Sequence, residues 1–480
     1  GNSQSATVGT AVSTAPSVKI TDANGNAVSG TSVTYAIATG SGSLTGASAT
    51  SNSSGIATVG SWTLGTTAGA QTITATSTGL TGSPLTFTAT ATAAAPASIA
   101  INAGNSQSAT VNTAVATEPK VIVKDQYLNV VPSATVTFTI ASGGGTLANA
   151  SANTNSSGIA GVGTWILGTA AGANSFTATV GSFSTTFTAT ATASTATQIA
   201  INSGNNQSAT VHTTVTAPTV IAKDQYNNVV SGASIQFTVV TGSGSLSSLT
   251  AVTSNASGIA TSPAWTLGNT AGSNTLRAEL VSDNSKYVTF TATGTPGAID
   301  ASKSTITVAD SQVVVGATHG TNITVTMRDA YSNAVNTADK VVALATAKGS
   351  IGTVTNNNNG TYSARYTAQN LVASVSITGT YDGVAMIGAS LTLIPDVASQ
   401  YLLTLSSTSG ITAGNAITAS AQLADQFGNS VSTSGRVVVW SDGSATGSFA
   451  TGASTTNSSG IATVSYTTDG IMATSAYVYA

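Results

Sequence analysis

The 480-residue sequence contains no cysteine, so no disulfide can brace it and every folded unit has to hold by packing alone. Charge is scarce as well. Asp, Glu, Lys and Arg make up 6% of the residues, against roughly a quarter in an ordinary globular chain. No two basic residues are adjacent and the formal net charge is −3. Nucleic acids and anionic membranes both require a clustered basic patch, so neither is expected as a partner. No apolar run reaches the ~18 residues that span a bilayer; the longest candidate, residues 383–394, is interrupted by Ser and Thr. Direct membrane insertion of this segment is therefore not expected. The sequence starts at Gly1 without Met or a leader, which reads as a mature product or a segment of a longer chain. Scarce charge does not mean disorder here, because 41% of the residues are hydrophobic and disorder needs few apolar groups and high net charge.

What is present is repetition. GNSQSATV at residues 1–8 recurs at 104–111 and, as GNNQSATV, at 204–211. An Asp followed four residues later by Asn occurs five times, as Asp22/Asn26, Asp125/Asn129, Asp224/Asn228, Asp329/Asn333 and Asp425/Asn429, with spacings of 103, 99, 105 and 96. A third landmark follows each pair: NSSGIA at 52–57, 155–160 and 457–462, NASGIA at 255–260, and a looser NGTY at 359–362. Landmarks held in register define five domains, expected at 1–94 (lacking a first strand), 95–196, 197–296, 297–394 and 395–480. Between landmarks the apolar period is two. Val33, Tyr35 and Ile37 alternate with small residues, as do Val136, Phe138 and Ile140, and Ile235, Phe237 and Val239. That pattern predicts strands with one buried face. Turn signals separate these runs, and Asn24-Gly25 and Asp382-Gly383 predict tight hairpins. The fold class expected is all-β: a tandem array of immunoglobulin-like β-sandwich domains, each with about seven strands in two antiparallel sheets. Links of a few residues predict that neighbouring sandwiches sit end to end.

The string KITDANGNAVSG at 19–30, with SVTY at 32–35, NSSGIA at 52–57, WTLG at 62–65 and AGAQTITA at 68–75, resembles bacterial Ig-like domains of the invasin and intimin type. The resemblance covers essentially the whole chain. It is closest in the first three copies, where WILG at 165–168 and WTLG at 265–268 repeat the pattern. The last two lack that Trp, and Trp440 falls on a different predicted strand. The resemblance implies stalk and spacer modules on the bacterial surface, as in adhesins, surface-layer proteins, extracellular filaments and phage tail fibres, with no shared active site.

The candidate polar sites each have a plainer structural reading. Asp22-Ala-Asn24-Gly-Asn26 superficially matches a calcium loop, but the other copies replace the intermediate oxygen donors (Gln126-Tyr127-Leu128, Gln225-Tyr226-Asn227, Ala330-Tyr331-Ser332, Gln426-Phe427-Gly428). An Asx turn, in which the carboxylate accepts nearby N–H groups, is the favoured reading. Lys124, Lys223 and Arg328 directly precede their Asp, and Lys19 lies three before Asp22, which suggests local ion pairs. His212 takes the place of Gly9 and Asn112 and reads as an exposed variable position; with His319 it completes the histidines, and no further ligands accompany either for a metal. Glu118 and Glu279 are the two glutamates, in different domains, so no carboxylate pair suggests hydrolysis. Trp62, Trp165 and Trp265 could stack sugars, but a repeated Trp-x-Leu alternation favours the core. Sequons such as those at Asn52 and Asn322 are numerous in a chain this rich in Ser and Thr. No catalytic, cofactor-binding or metal residue is therefore assigned, and no cofactor.

The function expected is that of a non-catalytic, extracellular or cell-surface structural protein, a subunit of a filament or surface layer. The alternatives are an adhesin stalk and a virion fibre module. Residues 1–94 carry only Lys19 and Asp22 as charges, whereas ten charged residues fall between Asp300 and Asp382. Uncharged hydroxyl-rich flanks suggest partners in the form of copies of the chain, with glycan or a host-surface receptor as further possibilities. Copies 2 and 3 are preceded by SIAI at 98–101 and QIAI at 198–201, a first strand with no counterpart before Gly1. Truncation, or completion by a donated strand, would account for it. The run ATSAYVYA at 473–480 suits a last strand or such a donor.

Overall fold

A computed structural model describes residues 1–336, 341–443 and 447–468; the run at 473–480 lies outside the described residues. Among the described residues all regular structure is β, and no helix is long and apolar enough to cross a membrane. Five separate hydrophobic cores follow one another along the chain, and each defines a unit: Val8 to Ala91, Val111 to Ala191, Val215 to Ala292, Ala301 to Leu393, and Ala419 to Val464. The architecture is a tandem array of Ig-like β-sandwiches.

The second unit shows the plan. One sheet joins Pro96–Ala103, Lys120–Asp125 and Ile159–Gly161. The facing sheet runs Gln107–Thr110, Phe183–Thr192, Gly172–Val180, Thr135–Ser142 and Ser151–Asn153. The sheets are not wholly antiparallel, as the sequence had suggested. Gln107–Thr110 runs parallel to Phe183–Thr192, and the same parallel edge recurs in the first, third and fourth units. In the second and third units the repeated GNSQ/GNNQ motif moves the chain from one sheet to the other. Gly104 takes φ +79°, which glycine tolerates without penalty. The Gln107 amide then donates to the carbonyls of Gly104 (2.8 Å) and Thr117 (2.7 Å) and accepts from Thr117 N–H (2.7 Å). Asn105 meanwhile accepts the Thr188 N–H at 2.9 Å. Gln4 makes the same three bonds in its own unit, and Gln207 the two donated ones, to the carbonyls of Gly204 and Thr216.

Of the two expected hairpins, Asp382-Gly383 is a two-residue turn with positive φ at both positions, joining Ala373–Tyr381 to Val384–Ala385. At Asn24-Gly25 only Gly25 is left-handed, so this is a longer turn closed by Asp22 N–H to the Asn26 carbonyl (2.9 Å). The third landmark is also a turn: Asn155 Oδ1 accepts from Ser157 N–H (2.9 Å) and Ile159 N–H (3.1 Å), with Gly158 at φ +72°.

Trp62, Trp165 and Trp265 are all fully buried. Trp165 meets Phe176 edge-on at 4.8 Å, and Phe176 stacks on Phe187 at 4.7 Å. Their indoles present no face for a sugar. The glycine that closes each Trp-x-Leu-Gly run has a packing reason. Gly168 N–H donates to the buried Asn174 Oδ1 (3.0 Å), and a Cβ there would run into the Gly143 carbonyl oxygen. Gly168→Ala is accordingly expected to lower the stability of the second unit by about 1–3 kcal/mol, read as a shifted denaturant midpoint.

Outside the cores, the larger sheet of the first unit turns Thr86, Thr88, Thr90 and Thr92 to solvent, flanked by Thr76, Ser32, Thr34, Ser48 and Thr50. Opposite residues pair hydroxyl with hydroxyl, as in Thr72 with Thr88 and Thr34 with Thr76. In the third unit that face is interrupted by Arg277, which is bound to Glu279 at 2.7 Å and lies 4.1 Å over the Tyr287 ring.

Candidate functional site at the unit junctions

The repeated Asp and Asn meet where one unit abuts the next. Asp125 and Asp425 end their strands and Asp224 directly follows one, and the side chain of every copy's Asp turns back over the following turn. Asp224 is fully buried and accepts from Tyr226 N–H, Asn228 N–H (both 2.9 Å) and Asn228 Nδ2 (3.0 Å). This is the expected Asx turn. Both carboxylate oxygens are occupied by N–H donors, which leaves no lone-pair fan for calcium. Among the described residues no group of three or more metal-ligating side chains forms.

Two further sets of bonds were not foreseen. First, the Asp Oδ2 that accepts the Asn amide also takes an N–H from the linker that enters its own unit: Ala94 on Asp125 (2.9 Å), Ser194 on Asp224 (3.0 Å), Gly297 on Asp329 (2.9 Å) and Asp396 on Asp425 (3.1 Å). Second, the Asn amide reaches into the preceding unit. Asn129 Oδ1 accepts from Ala68 N–H (2.8 Å) and its Nδ2 donates to the Thr66 carbonyl (2.9 Å). Asn228 holds Ala171 and Thr169, Asn333 holds Ala271 and Asn269, and Asn429 holds Val372 and Asn370, at 2.7–3.0 Å throughout. Four junctions are closed by the same atoms.

An aromatic residue two positions after the Asp completes each joint. Tyr127 lies against Gly9; the Tyr226 hydroxyl accepts from Asn112 Nδ2 at 3.0 Å; Tyr331 meets His212 with ring centroids 5.3 Å apart; Phe427 packs on the core of the fourth unit near Gly316. His212 is exposed, as expected of a variable position, and the added finding is its ring contact across the joint. Gly9, Asn112 and His212 share a positive-φ turn that faces the next unit's aromatic, so the variation follows the partner. The available signal was an aromatic set in an otherwise polar turn in four of five copies.

The expected ion pairs to the Asp residues do not form. Among the described residues the salt bridges are Lys120–Glu118 (3.1 Å) and Arg277–Glu279. Strand alternation sends Lys124 and Lys223 to the face opposite their neighbouring Asp. His319 Nδ1 lies 3.1 Å from the Val315 carbonyl of its own turn.

Electrostatics follow from the bonds. For Asp125, Asp224, Asp329 and Asp425, burial pushes the carboxyl pKa up, but the Asn side chain and the linker and turn N–H groups outweigh it, and each stays below the ordinary carboxylate range. Asp22, exposed, is lowered by Asn26 and its turn N–H groups. A folded pKa below the unfolded value means that the contribution to stability is complete above about pH 3.9 and is lost as pH falls through the lowered folded value. The thermal midpoint is thus expected to stay level from pH 8 to about 5 and to drop only in stronger acid, with joints loosening in the same window. Scanning calorimetry and small-angle scattering across that range would check this.

Residues 300–395, the fourth unit, match the family described as Invasin, domain 3. The match is confined to this unit, which is similar to invasin-type Ig-like domains. Among solved structures the chain is similar to the Escherichia coli adhesin FdeC (21% identity over 57% of this chain and 88% of that one, TM-score 0.34). It is also similar to invasin, titled a bacterial integrin-binding protein (16%, 68% and 76%, 0.32), and to the surface layer protein SbsC, domains 4–9 (17%, 65% and 50%, 0.24). No curated protein sequence matches the chain.

Proposed function

We propose that the chain is a non-catalytic structural array of the bacterial cell surface, working as a subunit of a filament or surface layer. The observation that carries this reading is the set of four chemically equivalent joints, each closed through an Asn amide to the backbone of the unit before it. Such joints resist bending, because each fixes the linker and the neighbouring turn with two-ended bonds. The division at 1–94, 95–196, 197–296, 297–394 and 395–480 belongs to the same reading and is supported by the separate cores. The uncharged Thr and Ser faces of the first two units suit lateral contact with other copies, since hydroxyls lose less on desolvation than charged groups. Electron microscopy of the purified chain tests both parts: straight rods that associate side by side at high concentration are expected, and jointed, monomeric chains would end the proposal.

A second reading, a stalk that holds a receptor-binding tip away from the cell, is supported by the family match at residues 300–395. It requires the same stiff joints but no lateral association, so the microscopy separates the two. Glycan covering the Ser and Thr faces belongs to the first reading, as the other way of occupying those flanks, and a host-surface receptor is the partner of the second.

A further inference from the structure

In the second unit Gln107–Thr110 is the first strand of the larger sheet, and it lies parallel to the last, Phe183–Thr192. The chain comes into this sheet through Gly104 and leaves for the third unit from Thr192. Tension along the array therefore draws Gln107–Thr110 backwards and Phe183–Thr192 forwards. The two strands are loaded in shear, so the evenly spaced bonds of a parallel pair have to give together. A hairpin pulled at its open ends would instead lose its bonds one at a time. Gln207–Thr210 against Asp283–Thr295 repeats the arrangement in the third unit.

The GNSQSATV repeat adds side-chain bonds to that pair. Main-chain bonds run from Ser106 N–H to the Thr188 carbonyl and from Val111 N–H to the Thr192 carbonyl, both at 2.8 Å. Alongside them Asn105 Oδ1 accepts the Thr188 N–H (2.9 Å), the Ser108 hydroxyl donates to the Thr190 carbonyl (3.2 Å), and the Thr192 hydroxyl donates to the Ala109 carbonyl (3.3 Å). The first unit makes all three through Asn2, Ser5 and Thr92. The third makes two, through Asn205 and Thr295. The fourth unit lacks the motif. Its parallel edge registers three residue pairs instead of four, and among the described residues no side chain bridges it. Changing sheets needs the turn at Gly104 and the bonds of Gln107; it does not need Asn105 or Ser108 to grip the last strand.

We infer that this parallel pair, with the Asn and Ser of the repeated motif, is a shear latch through which the first three units bear tension along the array without unfolding. The inference goes beyond the reading as a filament or a stalk, which concerns bending and side contact. Microscopy and pulling therefore fail separately.

The test holds the whole chain by its two ends at constant force and records how long each unit survives, a lifetime set by the unfolding rate. Each unit that gives way should add about 30 nm, the extended length of the segment from Gln107 to Thr192. Three units are expected to outlast the fourth. Asn105→Ala with Ser108→Ala changes two exposed side chains, so the second unit stays folded. Its lifetime under force should nevertheless shorten about fivefold, the worth of one net hydrogen bond taken from the barrier. Phe138→Leu, in Thr135–Ser142 and outside the latch, is the comparison: it should lower the denaturant midpoint while changing the lifetime under force less than twofold. An unchanged lifetime for the double variant would overturn the assignment. So would an equal shortening by Phe138→Leu, or a fourth unit that survives as long as the first three.

Discussion

Asp224→Ala is expected to cost the third unit about 2–4 kcal/mol, because Tyr226, Asn228 and Ser194 would each keep a backbone N–H with no carboxylate to meet it. Against a domain stability on the order of 5–15 kcal/mol, that is a large share. The loss should be confined to one transition in a calorimetric scan, while the joint between the second and third units becomes loose. Asn228→Ala separates the two effects. It removes the bonds to Ala171 and Thr169 but leaves the backbone donors of the turn in place. A smaller drop in stability is expected, with a comparable spread of inter-unit angles by electron microscopy. Asp22→Ala supplies the control, since the same turn there is exposed and holds no linker N–H. If Asp22→Ala and Asp224→Ala destabilise equally, the joint contributes nothing beyond the turn.

Trp165→Ala is the second large effect. The indole is fully enclosed against Phe176, and emptying such a site costs about 3–5 kcal/mol, which would leave the second unit at the edge of folding. The Nε1–H of Trp165, like those of Trp62 and Trp265, has no hydrogen-bond partner among the described residues. Polar bonding therefore contributes nothing to the residue's value, and Trp165→Phe should retain most of the stability. Denaturant titration of both variants would show it; equal losses for Phe and Ala would mean that the N–H is engaged after all.

The β architecture was open to sequence reasoning because its causes are local and repeated. Period-two alternation at Val136, Phe138 and Ile140 marks a strand whatever its partner, and five registered landmarks mark five units. The turn role of each Asp was equally legible, since an Asx turn needs only residues within four positions. The joints were not. Asn228 finds Thr169 and Ala171 about sixty residues upstream, and nothing in the local sequence of Asn228 encodes that distance. The parallel edge at Gln107–Thr110 was hidden for the same reason, because alternation reports burial and not strand direction. The expected pairing of Lys124 with Asp125 failed on the strand's own geometry, which places adjacent side chains on opposite faces.

Every contact that Asn129, Asn228, Asn333 and Asn429 make with the preceding unit goes to a backbone N–H or C=O, never to a particular side chain. A socket that reads only the peptide group accepts any neighbour with the same turn, so units could be duplicated, deleted or reordered without redesigning the couplings. Array length then becomes a quantity that recombination can tune freely, with the aromatic contact adjusting afterwards, as His212 beside Tyr331 illustrates.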